Sequence, residues 1–254
     1  MNVDSYLQRI KADQVKYNNL EALSKLQYQH MLHVPFENLD VIYSVPISLD
    51  VEAFYKKVVL NYRGGFCYEL NGLFHWLLQS LGYPCQLASA TINRPDDTWA
   101  RAGSHACTIV TLDQPYLVDV GFGDSARKPL PLTGEVREDV SGAYRVKKVE
   151  TDIYDVERLQ VSDDKWDTLI RIDTKPMVLK DFAAACEFNQ TSAHSPFTQK
   201  EMITIATLEG RITLSGNTLT ITRYGKKQQQ TISEEERSSV LEKYFQIGDS
   251  PPPR

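Results

Sequence analysis

Cys67 stands in the run Arg63-Gly64-Gly65-Phe66-Cys67-Tyr68-Glu69, where two glycines free the backbone just ahead of a segment with helical periodicity. A sulfur at a helix start sits beside unpaired N–H groups and partial positive charge, which favours thiolate and supplies donors for an oxyanion. Such a thiol can act as a nucleophile if a base takes its proton and an acceptor orients the base. The chain holds five histidines: His30, His33, His75, His105 and His194. His75 lies eight residues along the same helix as Cys67, about 12 Å away at the helical rise, and cannot act on it directly. His30 and His33 fall on or just after another helix, where they face solvent or fill a core gap. His105 opens an apolar run after Ala102-Gly103-Ser104, and the next run, Tyr116-Leu117-Val118-Asp119-Val120, carries an acid among apolar neighbours. A carboxylate in that setting needs a donor, and an imidazole N–H is a suitable one. Cys67, His105 and Asp119 are therefore the candidate nucleophile, base and orienting acid. Spacing alone does not unite them. A two-residue turn at Asp113-Gln114 would set His105 opposite Phe122 and Asp119 opposite Thr108, leaving the pair about 10 Å apart on opposite faces of a sheet. A bulge or a wider turn is required.

The elements that must position these residues are legible in outline. Residues 1–84 read as helical. Asn18 or Asn19 caps a helix whose Leu20, Leu23, Leu26 and Met31 recur near the 3.6-residue period and which ends before Pro35. Asp50 announces a second helix carrying Phe54, Val58 and Val59, and a third follows the glycine turn, with Leu70, Leu73, Phe74, Leu77, Leu78 and Leu81 on one stripe, Gly82 as its stop and Pro84 beyond. Residues 85–185 turn to short β-rich runs at 86–92, 105–112, 116–120, 143–149, 153–159 and 166–172, a pattern of antiparallel barrel or sandwich. Residues 186–200, rich in Ser, Thr and Asn and holding Pro196, read as a linker. In 201–254, alternating runs at 202–207, 211–214, 218–222 and 228–232 precede a capping box, Ser233 with Glu236, that opens a helix to about Tyr244. Residues 251–254 are expected to be disordered.

Composition limits the partners. The 254 residues carry 28 basic and 33 acidic side chains, a net charge of −5, and 42% apolar residues. That is a globular composition with no basic footprint for nucleic acid or an anionic membrane. Nothing near 18 consecutive apolar residues occurs and the start lacks an apolar signal core, so a cytoplasmic protein is expected. The four cysteines, Cys67, Cys85, Cys107 and Cys186, are spaced by 18, 22 and 79 positions. That spacing suits neither a zinc site nor a disulfide framework, and the last three are expected to be structural.

Four segments, in order, resemble the signatures of the arylamine N-acetyltransferase family: HVPFENLD at 33–40, RGGFCYELNGLFHWLL at 63–78, AGSHACTIV at 102–110 and VDVGFGDS at 118–125. The resemblance spans essentially the whole chain. It implies an α+β fold with an N-terminal helical bundle, a central antiparallel β-barrel and a C-terminal α/β lid around a papain-like or transglutaminase-like cysteine core. It implies ping-pong acyl transfer without a metal: Cys67 takes acetyl from acetyl-CoA as a thioester, and an arylamine, arylhydrazine or N-hydroxyarylamine receives it. Small molecules, the amine or hydrazine and CoA, are then the partners, and no oligomer is indicated. Carried over motif by motif, Phe36, Phe66, Ser104 and Phe122 line the acceptor pocket, with a plain core role as the alternative for Phe36 and Phe66. The backbone N–H of Cys67 and the main chain near Gly103 would receive the oxyanion, and Gly121 and Gly123, followed by Ser125, would offer N–H groups to the CoA diphosphate. Arg63, Glu37 and Asn71 look like a brace for the cysteine loop. Arg223, Lys226 and Lys227 would meet the CoA phosphates or remain a solvated face. Asp124 stands where some relatives carry Arg or another residue, and it adds negative charge beside a polyanion site. The alternative function is a Cys-His-Asp amidase or transglutaminase-like hydrolase.

Overall fold

Asn19, rather than Asn18, caps the helix Leu20–His33: its side chain accepts the Ala22 N–H at 2.9 Å, while Asn18 donates to the Gly82 carbonyl at 3.1 Å. Asp50 caps Val51–Tyr55, which continues through a wider turn at Lys56–Leu60. The helix Cys67–Ser80 buries Leu70, Leu73, Phe74, Leu77 and Leu78, and Gly82 ends the segment at φ +81°. The computed structural model describes residues 1–15, 17–160 and 165–248. The tail at 251–254 lies outside them.

The helices do not form a core of their own. Their apolar stripe packs on Ala106, Val110 and Val118, so the cysteine helix lies directly against the sheet that carries the histidine. That sheet is a nearly closed antiparallel barrel of eight strands, in the order Leu130–Pro131, Pro115–Val118, His105–Thr111, Cys85–Ile92, Lys165–Met177, Ile153–Gln160, Gly142–Glu150 and Arg137–Asp139. Its inner face packs Cys107, Ile109, Leu117, Tyr144 and Ile172, the opposite set of side chains from those that meet the helices.

The turn between the histidine and aspartate strands differs from the two-residue turn considered above. Thr111 pairs with Pro115 and Thr108 with Val118, so three residues, Leu112, Asp113 and Gln114, make the loop. One added residue shifts the register by one and reverses the parity of faces. Continued, this register carries Asp119 opposite Cys107, two positions from His105 and on its face.

A second sheet of five strands orders Phe36–Glu37, Met202–Thr207, Gly210–Ser215, Thr218–Arg223 and Lys226–Thr231. Its edge strand comes from the N-terminal motif, Phe36 pairing with Thr204, which ties that motif to the lid. The Ser233 N–H donates to Glu236 at 2.8 Å and opens Glu234–Val240, whose continuation buries Leu241 and Phe245 against the sheet. The expected linker at 186–200 is instead largely helical. Ala183–Thr191 opens on three alanines, strong helix formers, and buries Ala185, Cys186 and Asn189, and a short turn, Pro196–Gln199, is capped by Ser195. Among the described residues, no helix is long and apolar enough to cross a membrane.

Candidate active site

Cys67 is the first residue of its helix and is 3% exposed. The thiol donates to the Ser104 carbonyl at 3.9 Å, and the backbone N–H groups of Tyr68 and Ala106 point at the sulfur. Burial nevertheless pushes the thiol pKa well up, with Cys186 and Asp119 adding to it and the two N–H groups opposing it. The helix start thus supplies donors without lowering the pKa of the isolated thiol, because burial is the larger effect. Ionisation has to come from a base.

His105 and Asp119 are both buried, and the imidazole Nε2–H donates to Asp119 Oδ2 at 2.8 Å. The other ring nitrogen, Nδ1, is then the one available for proton transfer. Asp119 Oδ1 accepts from Asn71 Nδ2 at 3.0 Å and from the N–H groups of Gly121 and Phe122 at 2.9 and 3.1 Å. Burial works against this carboxylate, but His105, Asn71 and the Gly121 N–H outweigh it and hold its pKa below the ordinary range. Asn71, one turn beyond Cys67, also donates to the Ala106 carbonyl at 2.6 Å and accepts the Val120 N–H at 3.0 Å. Its expected place in an ionic brace is therefore corrected: this side chain clamps the cysteine helix to the strands of His105 and Asp119.

Gly121 is needed for proximity. A Cβ there would stand 2.6 Å from Asn71 Nδ2 and 2.9 Å from the Cys67 Cα. Its N–H is engaged by Asp119, so the expected donation to a diphosphate does not fit this geometry. Gly123, at φ +84°, and Ser125 follow in the same loop, the Ser125 hydroxyl donating to the Asp119 carbonyl at 3.2 Å. Gly103, at φ +69°, gives its carbonyl to the Tyr68 hydroxyl at 3.0 Å, and the Ser104 hydroxyl accepts the Ile92 N–H at 3.2 Å.

Cys67, Ser104 and His105 open on a cleft of about 1480 Å³ between helices, barrel and lid. Phe36 and Phe122 line it, and the Phe122 ring stands at 75° to His105 with centroids 5.7 Å apart. Phe66 is corrected to a core position: it is fully buried, edge-on to Phe197 at 4.7 Å. Phe197 lines the cleft. Nothing in the sequence reading singled it out, although an aromatic after Pro196 at a helix start was the available signal.

Six cationic side chains line this cleft, Arg94, Arg101, Arg158, Lys200, Arg211 and Lys227, and among the described lining residues Asp124 is the one carboxylate. Asp124 is not an uncompensated charge, since it accepts from Arg158 at 2.6 Å and from Arg211 at 3.3 Å. Of the three lid cations expected near phosphates, Lys227 lines the cleft, whereas Arg223 pairs with Glu209 at 3.1 Å. The volume exceeds the roughly 1,000 Å³ upper range of drug-sized pockets. Volume and charge together fit a large polyanion such as a coenzyme A thioester. Among the described residues no group of three or more His, Cys, Asp or Glu could hold a metal ion.

The cysteine loop is braced from below by a denser network than Arg63 and Glu37 alone. Arg63 meets Glu37 at 2.7 Å and Asp40 at 3.0 Å, and Lys57 meets Asp40 at 2.7 Å and Glu69 at 2.8 Å. Glu69 in turn accepts the Phe66 N–H at 2.7 Å and fixes the first turn of the cysteine helix. Burial works against the Lys57 charge, but Glu37, Glu69 and Asp40 raise its pKa.

A thiol, an imidazole and a carboxylate disposed in this way serve nucleophilic acyl chemistry. The comparisons narrow that class. A family model described as N-acetyltransferase matches residues 19–249. The pineal gland isozyme NAT-10 arylamine N-acetyltransferase of Gallus gallus is 30% identical over 97% of this chain and 94% of its own, and arylamine N-acetyltransferase 1 of Homo sapiens is 28% identical over the same shares. Among solved structures, the Mycobacterium marinum arylamine N-acetyltransferase in complex with CoA matches with a TM-score of 0.88 at 30% identity, covering 97% of this chain and 93% of that one. The Bacillus cereus NAT3 arylamine N-acetyltransferase, described with a unique Cys-His-Glu catalytic triad, matches with a TM-score of 0.90 at 27% identity, covering 98% and 99%. The chain belongs to the arylamine N-acetyltransferase family, acyltransferases that take their acetyl group from acetyl-CoA.

Proposed function

We propose that the protein acetylates arylamines, arylhydrazines and N-hydroxyarylamines by a ping-pong route through Cys67. The observation that carries this reading is the 2.8 Å His105–Asp119 pair, itself clamped to the cysteine helix by Asn71. In the first half, His105 Nδ1 takes the thiol proton as sulfur attacks the acetyl carbonyl. The backbone N–H of Cys67, at the helix start, and the main chain near Gly103 are the donors for the oxyanion. The C–S bond of the donor then breaks, CoA leaves as its thiol with the proton from His105, and Cys67 holds the acetyl group. In the second half the amine nitrogen attacks the thioester, His105 accepts its proton and returns it to Cys67, and the acetylated amine departs. Asp119 keeps the imidazole in the tautomer and orientation that both halves require. Phe36, Phe122 and Phe197 offer ring faces and edges to an aryl acceptor, with the Ser104 main chain beside the sulfur. Gly103 and Gly123 shape the backbone around donor and oxyanion, Gly121 by admitting close approach.

The test is intact mass after incubation with acetyl-CoA. Gain of one acetyl group in the wild type, absent in Cys67→Ala and discharged by an arylamine, is expected. Amide hydrolysis with no labelled protein would instead mark a hydrolase.

A further inference from the structure

We propose that Arg158 and Arg211 form a seat for an oxyanion carried by a substrate, with Asp124 as the resident competitor that the incoming anion displaces. The inference rests on the acetyl-CoA-dependent reading of the cleft and deepens it. Three separate segments meet here: the loop after Gly121-Phe122-Gly123, the barrel strand Ile153–Gln160 and the lid strand Gly210–Ser215. All three side chains line the cleft. The two guanidiniums are sunk into its wall, 23% and 13% exposed, while the Asp124 side chain is 48% exposed and has room to turn into solvent.

Charge and donor supply point the same way. Arg127, buried beside this cluster, donates to the Gly210 carbonyl at 2.6 Å, and its nearest carboxylate oxygen, on Asp139, is 3.9 Å away. Three guanidiniums thus share two carboxylates, and a buried cation without full compensation is costly. Burial holds the Arg211 pKa down, an effect that Asp124 offsets only in part and that Arg127 reinforces. Asp124 takes a single N–H from each of its arginines, Nη1 of Arg158 and Nε of Arg211. A guanidinium has five such donors, arranged in a fork that matches phosphate or carboxylate oxygens. Arg211 Nη1 also donates to the Thr204 hydroxyl at 3.1 Å and Arg158 bonds the Tyr144 hydroxyl, so a substrate phosphate would take the donors that remain and supply the missing negative charge. The diphosphate of acetyl-CoA and the carboxylate of an acidic arylamine share this chemistry, and the experiment separates them.

Asp124→Asn removes the competitor and keeps the size. Binding of CoA is followed by titration calorimetry, which needs no turnover. KM is compared for acetyl-CoA against p-nitrophenyl acetate as donor, and for a carboxylated against a neutral arylamine as acceptor. If the diphosphate uses the seat, CoA binds about tenfold more tightly in Asp124→Asn, and about tenfold more weakly in Arg158→Gln. The ratio of the acetyl-CoA KM to the p-nitrophenyl acetate KM moves in the same senses. A fall in KM confined to the carboxylated acceptor also supports the seat and assigns its anion to that substrate. CoA affinity and acceptor preference both unchanged, or both weakened, in Asp124→Asn would overturn the proposal. Failure of either donor to label Cys67 would instead defeat the underlying transferase reading, and the calorimetry would still report on the seat.

Discussion

Cys67 lies under opposed influences, burial with Asp119 and Cys186 holding the proton on the sulfur and two N–H groups favouring its loss. Since burial is the largest of them, the proton has to pass to His105 rather than to bulk water. In His105→Ala, alkylation of Cys67 by iodoacetamide at pH 7 is therefore expected to slow about 100-fold, the lower end of what a positioned base contributes. Its pH inflection should move above the ordinary cysteine range, and an inflection unchanged from wild type would mean that the helix start alone activates the thiol. Asn71 and Gly121 show how single residues serve this arrangement without reacting. One bonds to both strands, and the other lets them approach.

At the scale of elements, the position of the cysteine helix depends on charges that come from four different stretches of chain. Glu37 and Asp40 arrive from the N-terminal motif, Lys57 from the preceding helix, Arg63 from the glycine turn and Glu69 from the first turn of the cysteine helix itself. Lys57→Met would leave Glu37 and Asp40 sharing Arg63 and take from buried Glu69 its ion-pair partner. A loss of about 3–5 kcal/mol is expected, the usual cost of removing one partner from a buried ion network. Chemical denaturation reads it, and a loss below about 1 kcal/mol would show that the network is dispensable. The hairpin between His105 and Asp119 makes the same point about register. One extra turn residue moves the acid from the wrong face of the sheet to the right one.

For the whole molecule, a net charge of −5 coexists with a cleft lined, among the described residues, by six cations and one acid, so the local field rather than the global one governs an anionic donor. Stability should depend on pH through a residue far from that cleft. His30 is fully buried, edge-on to Tyr6 and Phe74, with neither ring nitrogen bonded, and burial lowers its pKa to about 3. The unfolded chain protonates this histidine below about 6.5 while the fold excludes the proton. Stability therefore falls as pH drops from about 6.5 towards 3, at a limiting slope of about 1.4 kcal/mol per pH unit. His75, lowered to about 4 by burial, adds a parallel contribution. Asp119 and Asp40, whose pKa values are held below the ordinary carboxylate range, contribute stability that is lost only at lower pH. Unfolding free energies measured between pH 7 and 5 should decline in the wild type and less steeply in His30→Leu, where the parallel contribution of His75 remains; equal slopes would rule His30 out.

Much of this protein is determined by local sequence. Periodicity, caps and glycine turns mark the cysteine helix, the barrel strands and the lid. The two glycines before Cys67 and the acid inside an apolar run single out the candidate nucleophile and its proposed distant partners, because a buried acid is costly without a donor and a thiol at a helix start has donors beside it. Other features depend on contacts between segments remote in sequence. The joining of His105 to Asp119 turned on one residue of loop length, which no propensity distinguishes. Asn71 and Lys57 took their roles only when strands and helices were packed around them, and Phe66 and Phe197 divided into core and cleft wall only when the 183–199 segment folded over the site as helix. Asp124 looked like a liability as a lone charge in a motif. It became half of a competition once Arg158 and Arg211, 34 and 87 residues away, were brought to the same wall.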